Sequence, residues 1–310
     1  MTDRTLGERV LILRPGALGD TILALPAIRA MRRHVGRSAR IEVVGYPRYL
    51  RVAVNPLHAD ASHPVDREVF SGFYSNARRA ELLAFLQVYS SVIAWMNDER
   101  GEVHSVLSGL ASVWLQSAPY PPSGSGVHAS DHLTRSLEPL GVDVSPALPE
   151  LVIPADAETE ASDFLHRSGL EPGRFLAIHP GSGSPRKNWP AGELAKIARM
   201  GERQGLRLLL IEGEADKESV GALGALLSVK PPLARELDLL VLAAVLSKAF
   251  AFVGCDSGVS HLAAAAGAPT VAWFGPTEPE TWAPRGRQAK VVKGTSSLAR
   301  VEGFLADLNR

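Results

Sequence analysis

Three times in this chain an unbroken apolar run empties into a glycine-rich turn and then into a helical pattern. The runs are Arg9–Arg14, Phe175–His179 and Ala249–Val253, and the turns after them are residues 15–19, 180–184 and 254–258. Apolar runs this short, without alternation, are strands buried on both faces, which is how the strands of a parallel sheet read. The third instance is the most informative. After Asp256-Ser257-Gly258 a small-residue helix starts at once, and its first backbone N–H groups are free to hold an anion. His261 follows one turn in, near the same mouth. Ala263–Ala266 lets that helix lie close on a sheet, and Gly267-Ala268-Pro269 ends it before a strand at Thr270–Phe274.

The strand–helix alternation runs the length of the chain. In the first half, helix Asp20–His34 joins the first strand to a second at Ile41–Gly45. Strands near Val92–Trp95 and Val113–Leu115 and helices near Asn76–Gln87 and Ser130–Leu140 continue the series. Residues 46–75 have weak periodicity and no assigned element. After Pro154 come helix Ala157–Ser168, strand Phe175–His179, helix Pro190–Gln204 and strand Leu206–Ile211. Helices near Ala215–Leu227 and Leu239–Ser247 lead to the third turn. At 310 residues the chain exceeds the usual size of a single core, which implies domains of about 150 residues each. The expectation is two doubly wound parallel-sheet domains, 1–154 and 155–310, facing each other across a cleft. Ligands of such sheets bind beyond the carboxyl ends of the strands, where all three glycine turns lie.

Composition removes several alternatives. Lys+Arg and Asp+Glu both total 33, so no globally basic surface recommends nucleic acid as a partner. Cys255 is the only cysteine, which excludes an intrachain disulfide and a thiolate metal cluster, and its place at a strand end reads as a small buried hydrophobe. The longest apolar stretch, Leu239–Val253, is broken by Ser247 and Lys248 and is too short to span a bilayer. The polar start, Met1–Arg9, lacks the pattern of a signal peptide, so a cytoplasmic protein is expected.

The candidate site residues each carry two readings. Around the first turn, Gly16 and Gly19 are the only glycines, so the dinucleotide fingerprint is absent, and Glu42 lies inside the second strand rather than at its end. Asp20 suits an N-cap, or a general base for a hydroxyl. In His179-Pro-Gly-Ser-Gly-Ser-Pro-Arg-Lys-Asn-Trp-Pro190, backbone and hydroxyl donors can wrap oxygens and Lys187 offers a charge to a pyrophosphate; the plain alternative is a solvated loop. Glu214, just past a strand end, suits ribose hydroxyls or the acidity expected before a helix. Arg29, Arg32, Arg33 and His34, continuing to Arg37 and Arg40, complement a helix dipole or form a patch for anionic lipid at the inner membrane or an anionic acceptor. Neither HExxH nor DxD occurs, and no catalytic metal is expected.

Assembled, these residues resemble glycosyltransferase family 9, the ADP-heptose:lipopolysaccharide heptosyltransferases and their relatives. The resemblance rests on Leu11-Ile12-Leu13-Arg14 through Leu18-Gly19-Asp20 with Leu25-Pro26-Ala27, then His179-Pro-Gly-Ser, Lys187-Asn-Trp-Pro, Asp256-Ser-Gly-Val-Ser-His-Leu-Ala and Phe274-Gly-Pro-Thr-Glu-Pro. It implies a GT-B fold and inverting, metal-independent sugar transfer from a nucleotide diphosphate, with no cofactor. Asp20 then corresponds to the general base and Lys187 to the lysine that holds the diphosphate. Ser182 corresponds to a phosphate-contacting hydroxyl, and Asp256, Ser257, Gly258 and His261 to the site for phosphate and proximal sugar. Leu237 falls at the nucleobase edge, with Gly16, Gly19 and Glu214 completing the donor side. The implied partners are a nucleotide-sugar, most simply ADP-heptose, and a saccharide or glycolipid acceptor. For an acidic acceptor this chain offers only the scattered Arg48, Arg51, Arg67, Arg78 and Arg79. The rival readings are a GT-B epimerase of UDP-sugars, which would need further cleft carboxylates, and a catalytically silent nucleotide-sugar binding module.

Overall fold

The computed structural model describes residues 6–294 and 297–309. The chain divides into two compact units between Ala147 and Leu148. Leu151 N–H donates to the Ala265 carbonyl at 3.4 Å, which ties the segment before the expected 154/155 boundary to the second unit.

In the first unit, strands β1 (Arg9–Leu13), β2 (Arg40–Gly45), β3 (Ala61–Pro64), β4 (Ser91–Trp95) and β5 (Val113–Ser117) form one sheet. Their order is β3-β2-β1-β4-β5, and every pairing is parallel. The helices are α1 (Leu18–Val35), α2 (Pro47–Leu50), α3 (Arg79–Leu86), α4 (Glu102–Ser108) and α5 (Ala129–Arg135). Because successive strand residues face opposite ways, the sheet has two cores. Val10, Ile12, Ile41, Val43 and Ile93 pack with Ala24, Ile28 and Met31 of α1 and Leu133 of α5. Leu11, Leu13, Val44 and Val92 pack on the other side with Phe70, Phe73, Leu82 and Val106.

The second unit repeats the plan with one more strand: β6 (Phe175–His179), β7 (Arg207–Glu212), β8 (Leu233–Arg235), β9 (Ala251–Cys255), β10 (Thr270–Trp273) and β11 (Ala289–Val292). The order is β11-β10-β9-β6-β7-β8, again all parallel. Counted within the unit this is the 3-2-1-4-5-6 order of a Rossmann sheet, and the switch point falls between β6 and β9. Its helices are α6 (Ala155–Arg167), α7 (Ala191–Arg203), α8 (Lys217–Gly224), α9 (Leu239–Ser247), α10 (Gly258–Ala265), α11 (Pro279–Trp282) and α12 (Ser297–Leu308). Among the described residues no helix is long and apolar enough to cross a membrane.

Several expected boundaries move for local reasons. The third motif strand lies at Ala251–Cys255, two residues later than its apolar run suggests, because Ala249 and Phe250 lead into the sheet from the end of α9. The helix expected to Leu140 stops at Arg135; Pro139, which has no N–H to donate, sits in a separate short turn at Glu138–Leu140. The helix expected at Ala215–Leu227 is confined to Lys217–Gly224. Asp20 is not an N-cap: α1 begins earlier, at Leu18, with Ala17 as the cap residue and Asp20 at the third helical position. Arg32 does not belong to a surface patch. It is buried and donates to the carbonyls of Ala39 (2.6 Å) and His58 (3.3 Å) and to Asp60, so it ties α1 to the segment before β3.

Candidate active site

In the first unit the polar residues gather where β1 ends at its switch point with β4. Arg14, 3% exposed, follows the strand directly and hydrogen-bonds through its N–H to the Val44 carbonyl at 2.9 Å. The turn then brings Asp20 back over it. One carboxylate oxygen accepts the Ala17 N–H at 2.8 Å, which satisfies an otherwise open donor of the first helical turn. The other lies 3.3 Å from the Arg14 guanidinium, and the Asp20 side chain keeps 17% exposure. Gly16 makes this fold-back possible: a Cβ there would lie 2.6 Å from that of Asp20. Gly19 is the second helical residue. The Arg14 guanidinium stacks over the ring of Tyr120 at 5.1 Å. Burial, with the Asp20 charge next, pushes the Tyr120 phenol above its ordinary value.

The second unit holds a denser constellation, formed where β6, β7 and β9 end side by side. Ser257 is the cap residue of α10, and Gly258 opens the helix. Beside it, Lys187 Nζ lies 2.9 Å from Asp256 Oδ2, so the loop after β6 and the turn after β9 meet as the sequence motifs require. Thr277 donates to the same Asp256 oxygen at 2.7 Å. His261 is buried in the first turns of α10. Ser182 Oγ is 2.7 Å from the Ser184 carbonyl and 2.6 Å from Asn188 Oδ1, and Asn188 donates onward to Ser219 at 2.7 Å, so the hydroxyl braces its own loop. Arg186 is exposed. The loop ends on Trp189, whose N–H donates to Cys255 Sγ at 3.1 Å and whose ring stacks on Trp273 at 6.0 Å and 16°. Burial pushes the Cys255 thiol up to about 12, which fits the buried-hydrophobe reading.

Beneath this cradle lies a buried relay that its sequence positions did not single out. His179, the last residue of β6, has Nε2 2.8 Å from Asp216 Oδ2 and Nδ1 3.2 Å from Ser257 Oγ. Asp216 also accepts the Gly213 N–H at 3.0 Å. Burial drives the Asp216 carboxyl upward, but the bond and charge of His179 and the Gly213 and Gly183 N–H donors outweigh it and hold the group below its ordinary value. Gly181 is obligatory here, since a Cβ would fall 1.7 Å from Asp216 Oδ1. The available signal was a histidine closing an otherwise apolar strand, and an aspartate at a helix cap.

Glu214 is exposed, past the end of β7 and outside α8, so the acidity of that helix start comes from Asp216 and Glu218 instead. Leu237 is half-buried between β8 and α9. It follows Glu236, whose φ of +54° is the left-handed conformation of a non-glycine residue. Of the scattered arginines, Arg78 pairs with Glu68 and Glu81 and Arg79 donates to the Phe73 carbonyl. Both are engaged in local structure.

Two Rossmann-like parallel-sheet units in one chain, each with polar residues collected beyond the carboxyl ends of its central strands, define the GT-B class. Known proteins narrow this further. The profile of glycosyltransferase family 9 (heptosyltransferase) matches residues 88–302. Lipopolysaccharide heptosyltransferase 1 of Pseudomonas aeruginosa is 30% identical over 294 residues, covering 87% of this chain and 79% of that protein. Among solved structures, the family 9 glycosyl transferase of Veillonella parvula superposes with a TM-score of 0.79 at 24% identity, over 97% of this chain and 90% of that one. Escherichia coli heptosyltransferase WaaC with ADP-2-deoxy-2-fluoro heptose gives 0.69 at 18%, over 96% and 99%. The chain belongs to glycosyltransferase family 9 and is a glycosyltransferase.

Proposed function

We propose that the protein transfers heptose from ADP-heptose to a hydroxyl of a lipopolysaccharide-type saccharide acceptor in the cytoplasm, with inversion and without a metal ion. The observation that carries the donor half is the Lys187–Asp256 pair at 2.9 Å beside the start of α10. An ammonium, a helix N-terminus and the Ser257 hydroxyl converge there, which is the donor set that a diphosphate takes. Asp256 holds Lys187 in place, and Lys187 in turn offsets the carboxylate charge that would repel the anion. Glu214 binds ribose, Leu237 meets the adenine edge, and His261 and Gly258 border the proximal sugar. Gly16 and Gly19 keep the first turn low enough for the sugar to approach. Ser182 shapes the loop and reaches phosphate when its internal bonds exchange.

Asp20 takes the proton of the acceptor hydroxyl as that oxygen attacks the anomeric carbon. The bond from that carbon to the diphosphate oxygen breaks on the opposite face, and ADP leaves with its charge held by Lys187 and the N–H groups of α10. A single displacement needs one base, and Asp20 is the partly exposed carboxylate at the first turn. Arg48, Arg51 and Arg67 are assigned to meet an acidic acceptor; Arg48 donates to the Tyr49 hydroxyl and Arg67 lies 3.3 Å from His63 Nδ1. The name of the Pseudomonas relative supports the acceptor class, and the ligand of the WaaC structure supports the donor. The test is incubation with ADP-heptose and heptose-deficient lipopolysaccharide core, in EDTA, followed by mass spectrometry. The acceptor should gain one heptose. Transfer from UDP-sugars only, or epimerised donor without transfer, refutes the assignment.

A further inference from the structure

The His179–Asp216 pair is buried; Asp216 meets the loop after β6 through the Gly183 N–H, and His179 meets the start of α10 through Ser257. Its hydrogens can be counted. An ionised Asp216 at 2.8 Å requires a hydrogen on Nε2 of His179. The state of Nδ1 then decides what Ser257 does. With neutral His179, Nδ1 is an acceptor and the single Ser257 hydrogen turns inward toward it. The hydroxyl then offers only lone pairs to the mouth of α10, and these repel phosphate oxygens. With cationic His179, Nδ1–H donates to Ser257 Oγ and the hydroxyl hydrogen is released to an anion. Ser260 cannot substitute, because its hydroxyl donates to the Cys255 carbonyl at 2.5 Å.

We infer that His179 is a positioning residue that takes up a proton when a nucleoside diphosphate binds, converting Ser257 from an acceptor into a donor for phosphate. The inference rests on the proposed donor site and adds the proton to it. The arriving negative charge itself favours the imidazolium, and Asp216 is the counter-ion that lets the cation stay buried. Nearby, Asp256 is paired with Lys187 in the turn that holds Ser257, the Cys255 thiol on β9 feels the Asp216 and Asp256 charges, and His261 is buried on α10. The order of the ring nitrogens, with Ser257 as helix cap, assigns the relay to anion recognition rather than to a nucleophile.

The experiment is calorimetric titration of the full chain with ADP between pH 7.5 and 9, in buffers of different ionisation enthalpy. The terminal phosphate titrates at about pH 6, below this window. The wild type should take up close to a full proton, about 0.5–1 per ADP bound, at some pH in the window. Its affinity should fall by up to roughly tenfold per pH unit there. His179→Gln should bind ADP more weakly, without net proton uptake and with a flat pH profile, while His261→Gln keeps the uptake. Ser257→Ala, which leaves the buried pair in place, should also flatten the profile and covers the case in which His179→Gln does not fold. Tight ADP binding without uptake in the wild type, or uptake that persists in both His179→Gln and Ser257→Ala, overturns the inference and leaves the donor site standing. Absence of ADP binding overturns the donor site itself.

Discussion

Replacing Asp20 separates chemistry from folding, because the same carboxylate serves both. Its oxygens accept the Ala17 N–H and face the Arg14 guanidinium, which is 3% exposed. Asp20→Ala therefore leaves a buried cation without its carboxylate and a helix start without one acceptor. Breaking a buried pair from one side costs about 3–5 kcal/mol. The lower end applies here, because Asp20 is 17% exposed and Arg14 retains its place over the Tyr120 ring. About 3 kcal/mol corresponds to a fall in Tm of roughly 6–12 °C for a unit of this size. Removing both partners, as in Arg14→Met with Asp20→Ala, should recover most of that loss, since no charge is then stranded. Turnover should not recover: a missing general base lowers kcat by about 10²–10⁴-fold. The assay pairs a thermal melt with ADP release from ADP-heptose in the presence of acceptor. ADP affinity, measured separately, should stay within about twofold, because the contacts proposed for ADP itself lie in the second unit. Turnover within tenfold of wild type in the double variant would refute the base assignment.

Lys187→Ala should weaken ADP binding by about 10–100-fold, the worth of a hydrogen bond to a charged group; calorimetry reads this, and an unchanged Kd removes Lys187 from the cradle. Burial drives the Glu42 carboxyl upward, but bonds to His63 at 2.5 Å, Arg40 at 2.6 Å and Tyr89 at 2.7 Å prevail and set it at about 2 against an ordinary 4.5. The folded value lies below the unfolded one, so this stability is complete above pH 4.5 and is lost as pH falls toward 2. Glu42→Gln should therefore flatten urea-measured stability across that window, and an unaltered acid limb would contradict the pairing. Cys255, buried with its thiol pushed up to about 12, should resist iodoacetamide at pH 8 in the native protein and react readily in guanidinium; rapid native labelling would contradict its burial.

The parts of the fold that were legible are those where chemistry is concentrated over a few consecutive residues. β1, β6 and β9 are central strands covered on both faces, so each is a solid apolar run that ends in its glycine-rich turn. Three of the four edge strands carry no such mark. Ala61–Pro64, Leu233–Arg235 and Ala289–Val292 are short and part polar, and they exist because a neighbouring strand offers its hydrogen bonds. Asp20, Lys187 and Asp256 stand out by motif as candidates, but the other residues they meet do not. Ala17 has no side-chain acceptor, so nothing in its identity marks the start of α1. His179 and Asp216 stand 37 residues apart and meet because β6 and β7 are neighbours in the sheet. Arg32 reads as a surface cation at the end of a helix until Asp60, 28 residues on, claims it.

The indole of Trp189 closes the Lys187 loop and lies nearly parallel to that of Trp273 at the end of β10. Two such chromophores at 6.0 Å couple their excited states. The protein thus carries an optical gauge beside the Lys187 loop, and any shift of that loop relative to β10 alters an exciton signal without a dye being attached.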